Sequence, residues 1–176
     1  MPRAAPASLA RGTSSRWTAW QRLSPGDRRA TLAAAALLPI LGASLRVLGL
    51  RATVTWVARA TRQRQLAPAE QAAIVTRALD AIQRVERHGI YRGTCLSRSL
   101  ALAYLLGRAG LTTDLRFGGR KIDGRFAAHA WLEHDGVPIN ETADVARRLT
   151  PFEVPRERPP RERATREHGT PGLPPR

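Results

Sequence analysis

One cysteine, Cys95, occurs in 176 residues. A single thiol cannot close an intramolecular disulfide, and it excludes a cysteine-built zinc centre. No pair of the four histidines has metal-ligand spacing either. Lysine is nearly missing, with Lys121 alone against 28 arginines. Long apolar runs are short of membrane length. The charge-free stretch 30–45 has sixteen residues and contains Pro39 and Gly42, where a spanning helix wants about 20 apolar residues. About thirty residues precede it, which does not match the charged start of a signal peptide. Arg28-Arg29 lacks the flanking pattern of a twin-arginine signal. The stretch therefore reads as helices buried in a core or docked on a partner, broken at Pro39 and Gly42. Membrane-surface contact, or export, is the alternative. Acidic residues are scarcest in residues 1–66, where Asp27 stands alone against 11 arginines.

The formal net charge is +15. Residues 1–66 contribute +10, residues 67–145 only +1, and residues 146–176 the remaining +4. A phosphate-binding domain gathers its basic residues on one folded face. Here they lie in the flanks, scattered among Ala, Pro and Gly, and no nucleic-acid partner is expected. Contact with an acidic membrane surface or partner is the functional alternative. Gly118-Gly119 is no phosphate loop, because no Lys-Ser/Thr and no helix follow it. Arg116, Arg120 and Lys121 around it read as a solvated basic loop.

The chain divides into four parts. Residues 1–16 are Ala, Pro, Ser, Arg and Gly without apolar period, a disordered tail. Residues 17–66 form a basic, apolar, helical segment. Ser24-Pro25-Gly26-Asp27 is a helix start, and Leu45, Leu48, Val54, Val57 and Ala58 recur between arginines. Residues 67–150 carry the clearest patterning. Pro68 opens a helix on which Ala72, Val75, Leu79, Ile82 and Val85 recur, and His88-Gly89 ends it. A second helix starts near Cys95 and stops at Gly110. Then the period changes to alternation. Thr113 to Phe117 reads as a strand, Gly118 to Gly124 as a loop, and Arg125 to His134 as a strand. Asp135-Gly136 reads as a hairpin turn and Val137 to Glu141 as the returning strand. Residues 151–176, with seven prolines, read as a disordered Pro/Arg-rich tail. The fold class is α+β.

The chemistry centres on Cys95. Preceded by Gly93 and Thr94, it sits at a helix start, where unpaired N–H groups and the helix dipole favour the nucleophilic thiolate. The same N–H groups can hold an oxyanion. His129, in Ala128-His129-Ala130-Trp131, has small neighbours that admit a packed helix, so it is the candidate base. A third polar group orients such a base. Glu133 is about 13 Å along the same strand. On the returning strand, a two-residue loop sets His129 opposite Thr142, with Asn140 a diagonal neighbour. A three-residue loop sets it opposite Glu141. Glu141 and Asn140 are thus rivals, with Glu141 preferred because a carboxylate stabilises imidazolium. His134 points to the other face, and His88 and His168 read as solvated.

The stretch Cys95-Leu96-Ser97-Arg98-Ser99-Leu100-Ala101-Leu102, then Leu105-Leu106, Gly110-Leu111, Ala128-His129-Ala130-Trp131-Leu132-Glu133, Gly136 and Ile139-Asn140-Glu141 resembles the B2 proteins of lasso peptide biosynthesis, bacterial cysteine peptidases that cleave leader peptides. The resemblance spans residues 67–145. It implies a papain/transglutaminase-like core with a Cys-bearing helix on a small antiparallel sheet, preceded by N-terminal helices. It puts the nucleophile at Cys95, the base at His129 and the acid at Glu141, with Asn140 as fallback. No cofactor and no metal are implied. Residues 1–66 show no strand pattern, which resembles the split form of the family. That form implies a precursor peptide, a separate leader-recognition protein and a macrolactam synthetase as partners. Cytoplasmic location follows, with membrane association through residues 28–64 as an added expectation. The same three residues would also serve a transglutaminase-like acyltransferase or amidase. A non-catalytic scaffold is the remaining alternative.

Overall fold

A computed structural model describes residues 18–62, 64–88, 91–122 and 125–152. The expected tail at 1–16, Gly89, Gly124, His168 and the chain beyond 152 lie outside these residues. Helix α1 (Pro25–Val47) begins as expected: the Ser24 hydroxyl accepts the Asp27 N–H at 3.1 Å, and Pro25 takes the first helical position. The expected break at Pro39 and Gly42 does not occur, and α1 runs unbroken for 23 residues. An interior proline costs about 3 kcal/mol. Leu37, Leu38 and Leu41 are buried around Pro39, at roughly 1.5–3 kcal/mol each, so packing outweighs the loss. Gly42 is used for close packing, since any side chain there would meet the Tyr91 phenol. By length and composition alone, α1 is also long and apolar enough to cross a membrane.

The chain turns at Leu48 into α2 (Gly49–Arg59). Ser44 Oγ and Thr53 Oγ1 share a 2.8 Å hydrogen bond across the corner. Helix α3 (Pro68–Arg87) is capped by His88, and α4 (Cys95–Ala109) ends at Gly110 with φ 101°, the left-handed cap that glycine adopts without a Cβ penalty. Leu38 and Leu41 of α1, Val57 of α2, Ile82 and Val85 of α3, Leu100 and Leu106 of α4 and Leu132 of the sheet share one buried cluster. The N-terminal helices and the later elements thus build one core.

The sheet is antiparallel and curled. It comprises β1 (Asp114–Ile122), β2 (Arg125–His134), β3 (Val137–Pro138) and, after the short α5 (Val145–Arg148), β4 (Thr150–Pro151), in the order β3-β2-β1-β4. Three sequence expectations need correction. The loop expected at 118–124 is strand as far as Ile122, with Gly118 opposite His129 and Gly119 opposite Ala128. A Cβ on Gly118 would lie 2.9 Å from the Leu149 Cβ and 3.0 Å from the Trp131 ring, so the glycine admits large neighbours onto a continuous strand. The returning strand expected at 137–141 stops at Pro138. The tail expected from 151 begins inside the sheet: Pro151 pairs with Gly118, and the Phe152 N–H donates to the Phe117 carbonyl at 3.0 Å.

Candidate active site

Thr94 sets the start of α4. Its hydroxyl accepts the Ser97 N–H at 3.2 Å, and its carbonyl accepts the Arg98 N–H at 3.0 Å. The helix offers no acceptor to the N–H groups of Cys95 and Leu96, so two donors stand beside the half-buried thiol. Gly93 is needed just before them: a Cβ there would lie 2.8 Å from the Ser97 Oγ and 3.2 Å from the Arg98 Cγ.

Helix α4 packs on β2, and Cys95, His129, Asn140 and Glu141 line one open cleft. Its far wall is the face of α3 that carries Leu79, Ile82, Gln83 and Glu86. Arg98 of α4 pairs with Glu86 across the cleft at 3.6 Å. Glu86 carries no signal in the sequence, and Arg98 enters there only within the stretch from Cys95 to Leu102.

His129 Nε2 lies 2.7 Å from Glu141 Oε1. An ionised carboxylate only accepts, so Nε2 carries the proton and Nδ1 is left as the acceptor nitrogen of the neutral ring. Trp131, two residues along the strand, stacks near the imidazole at 6.3 Å between centroids.

The route to this pairing differs from the one expected. The hairpin loop has two residues, because Asp135 (φ 49°) and Gly136 (φ 77°) both adopt the left-handed conformation that such a turn requires. His134 pairs with Val137 and Glu133 with Pro138. Continued regularly, that register would set His129 opposite Thr142. The three-residue loop, offered as the way to bring Glu141 to His129, does not form. Instead the ladder opens at Ile139. Its N–H still donates to the Leu132 carbonyl at 2.9 Å, but the Leu132 N–H donates to the side-chain Oδ1 of Asn140 at 2.8 Å. The chain then swings out of the sheet, and Glu141 meets the imidazole.

Asn140, the fallback acid-position residue, therefore has other partners. Its Nδ2 donates to the Ser99 Oγ at 3.1 Å, and Ser99 donates to the Ala130 carbonyl at 3.0 Å. Ser99 is fully buried, one helical turn after Cys95. The network ties the thiol's helix to the strand segment beside His129.

Arg148 of α5 approaches the other oxygen of Glu141, with Nη2 3.7 Å from Oε2. It also donates to the Thr142 Oγ1 at 2.7 Å and pairs with Asp144 at 3.0 Å. The Thr142 hydroxyl holds the Asp144 carboxyl below its ordinary range against a smaller opposing effect of burial, and Arg148 adds to the lowering. Glu133 is occupied elsewhere, accepting from Trp131 Nε1 at 3.0 Å and Arg116 Nε at 2.9 Å. His134 Nδ1 faces the Thr112 carbonyl at 2.8 Å and Nε2 faces Gln71 at 3.3 Å. Among the described residues no group of acidic, histidine or cysteine side chains could hold a metal ion.

A thiol at the head of a helix, laid on a curled antiparallel sheet that carries a histidine, with a carboxylate brought to that histidine by the chain leaving the sheet, defines an α+β protein of the papain and transglutaminase kind. The family comparison narrows this: the model of the Transglutaminase-like superfamily matches residues 35–154, and the chain belongs to that superfamily. The match begins inside α1 and runs past β4, so it takes in the N-terminal helices together with Cys95, His129 and Glu141. Comparisons with curated proteins and with solved structures give no match.

Proposed function

We propose that this chain is a cysteine peptidase that removes the leader from a lasso peptide precursor, with Cys95 as nucleophile, His129 as base and Glu141 as the acid that orients it. The observation that carries the chemistry is the 2.7 Å contact of His129 Nε2 with Glu141 in the cleft that Cys95 lines. The lasso substrate rests on the resemblance of the segments around Cys95, His129 and Asn140-Glu141, and membership of the superfamily is consistent with it. Residues 67–150 form the catalytic unit in this reading.

The thiol proton passes to His129 Nδ1 as Sγ attacks the scissile carbonyl carbon. The N–H groups of Cys95 and Leu96 receive the oxyanion. The imidazolium, stabilised by Glu141, gives its proton to the leaving nitrogen, the C–N bond breaks, and the core peptide departs with a free amine. His129 then takes a proton from water as the water oxygen attacks the thioester. The C–S bond breaks, the imidazolium returns its proton to Sγ, and the leader leaves as a carboxylic acid that ionises in water. The freed amine is the group that a macrolactam synthetase next acylates. In this reading leader recognition falls to a separate protein and the reaction is cytoplasmic, as the resemblance implies.

Mass spectrometry of a cognate precursor incubated with the chain and the leader-binding protein tests this. A single cut at the leader–core junction, absent with Cys95→Ala, is expected. An intact precursor with the wild-type chain and all partners bound would overturn the reading.

A further inference from the structure

Between Ala30 and Leu45 helix α1 carries no charge, and only Thr31 and Ser44 interrupt its apolar surface. A helix of that kind is normally enclosed, by protein or by lipid. Here protein encloses one side only: about 28% of its most apolar stretch is buried. Ala34, Leu37, Leu38 and Leu41 face the core. On the opposite side Leu32, Ala36, Ile40, Ala43 and Val47 follow one another at spacings of three and four residues, which places them in one stripe. Leu32 is 61% exposed, Ile40 53%, Val47 79%, and Leu48 at the corner 64%. From Leu32 to Val47 the stripe runs about 22 Å at 1.5 Å per residue. Exposed Arg29 and Arg46 stand near its two ends. No Asp or Glu occurs anywhere between residues 28 and 66.

We infer that this outer face of α1 docks the protein on an anionic membrane surface. The charge pattern selects the occupant. The face offers apolar side chains and guanidinium donors, with no carboxylate to receive a partner's basic groups. Acyl chains match the stripe, and lipid phosphates match the arginines at its ends. A second copy of this chain would bring arginine against arginine with no acid between them. The face is also a ridge, the outer side of one helix, which a lipid surface accommodates without a complementary groove. Docking is in the plane of the membrane. Insertion across it would pull Leu37, Leu38 and Leu41 out of the core. None of the stripe residues lines the cleft, so membrane binding and peptide cleavage are read separately.

Flotation of the full chain with vesicles of phosphatidylcholine containing phosphatidylglycerol, beside vesicles of phosphatidylcholine alone, tests the inference. The protein is expected to float with the anionic vesicles and to be released as salt is raised. Ile40→Glu and Val47→Glu should reduce flotation to background while circular dichroism and melting temperature stay unchanged, since both sites are exposed. Arg29→Gln and Arg46→Gln should each weaken partitioning about fivefold. No flotation with anionic vesicles would overturn the inference, and so would flotation that survives both glutamate substitutions. So would light scattering that shows a dimer which Ile40→Glu dissolves, because the face would then belong to a second copy.

Discussion

Glu141 Oε1 stands 2.7 Å from His129 Nε2, and this contact assigns the two ring nitrogens different work. Nε2 is committed to the carboxylate, and Nδ1, in the cleft that Cys95 also lines, is left as the acceptor on which the proposed base role rests. Glu141→Gln keeps the length of the side chain but offers an amide, which can hold the ring in the wrong tautomer. A change of this type in a comparable triad costs about 10⁴-fold in turnover. A fall of about 10²- to 10⁴-fold in kcat is expected in precursor cleavage, with the melting temperature nearly unchanged. Cys95→Ala should leave no acyl-enzyme at all by mass spectrometry.

Arg148 touches the same carboxylate from farther away, 3.7 Å from Oε2, and is itself about 44% exposed. Exposed ion pairs are worth about 0–1 kcal/mol. Arg148→Gln should therefore lower kcat/KM by no more than about fivefold, and added salt should shrink the difference between variant and wild type. A loss as large as that of Glu141→Gln would mean that Arg148 acts on the substrate directly.

Much of this site was legible in the sequence because its main parts are local. Thr94-Cys95 reads as a cap and a helix start, and Asp135-Gly136 reads as a turn, since both rest on the backbone preferences of two or three residues. The choice between Asn140 and Glu141 was not legible by register. An ideal ladder gives the wrong geometry here, because a side chain, Asn140, replaces a main-chain acceptor and releases the next residue. Gly118-Gly119 misled for a related reason. Glycines that look like a loop are strand residues when Trp131 and Leu149 need the space above them. Pro39 misled because helix propensity was weighed without the three leucines buried beside it. Arg148 gave no signal at all, since only the fold brings α5 to Glu141.

The shared core predicts that α1 is not a detachable extension. Leu41 is fully buried in the cluster that also holds Leu100 and Leu106. Leu41→Ala should destabilise the whole domain by about 2–5 kcal/mol, seen as one cooperative transition in urea at a lower midpoint. A separate early transition with an unchanged main one would show that α1 unfolds by itself.

The start of α1 carries a pH dependence. The Ser24 hydroxyl, donating to Asp27 Oδ2 at 2.6 Å, holds this carboxyl below its ordinary range, and Arg77 at 3.2 Å adds to the effect against a smaller cost of burial. A folded-state value below the unfolded one means that the contribution is present above the unfolded value of about 3.9 and is lost as pH falls through the folded one. Asp27→Asn should lower the melting temperature at neutral pH and reduce the loss of stability in strong acid. Parallel melting curves of the two proteins down to pH 2.5 would contradict this.

Asn140 offers the sharpest separation of positioning from orientation of the base. Its side-chain hydrogen bonds go to groups other than the imidazole. Its Oδ1 accepts the Leu132 N–H and its Nδ2 donates to Ser99, which in turn donates to the Ala130 carbonyl. Asn140→Ala leaves the Leu132 N–H without its acceptor, at about 1–3 kcal/mol, and frees the chain that delivers Glu141. Asn140→Asp keeps the acceptor but, when ionised, cannot donate to Ser99. The aspartate variant is therefore expected to recover part of the stability lost in the alanine variant. Ser99→Ala should cost little on top of Asn140→Ala, and a double-mutant cycle should give a coupling of about 0.5–3 kcal/mol. If positioning is the role, kcat falls in both Asn140 variants while KM stays within a fewfold, and the fall follows the loss of the Ser99 link. A KM effect that exceeds the kcat effect would instead place Asn140 on the substrate, among the residues that line the cleft.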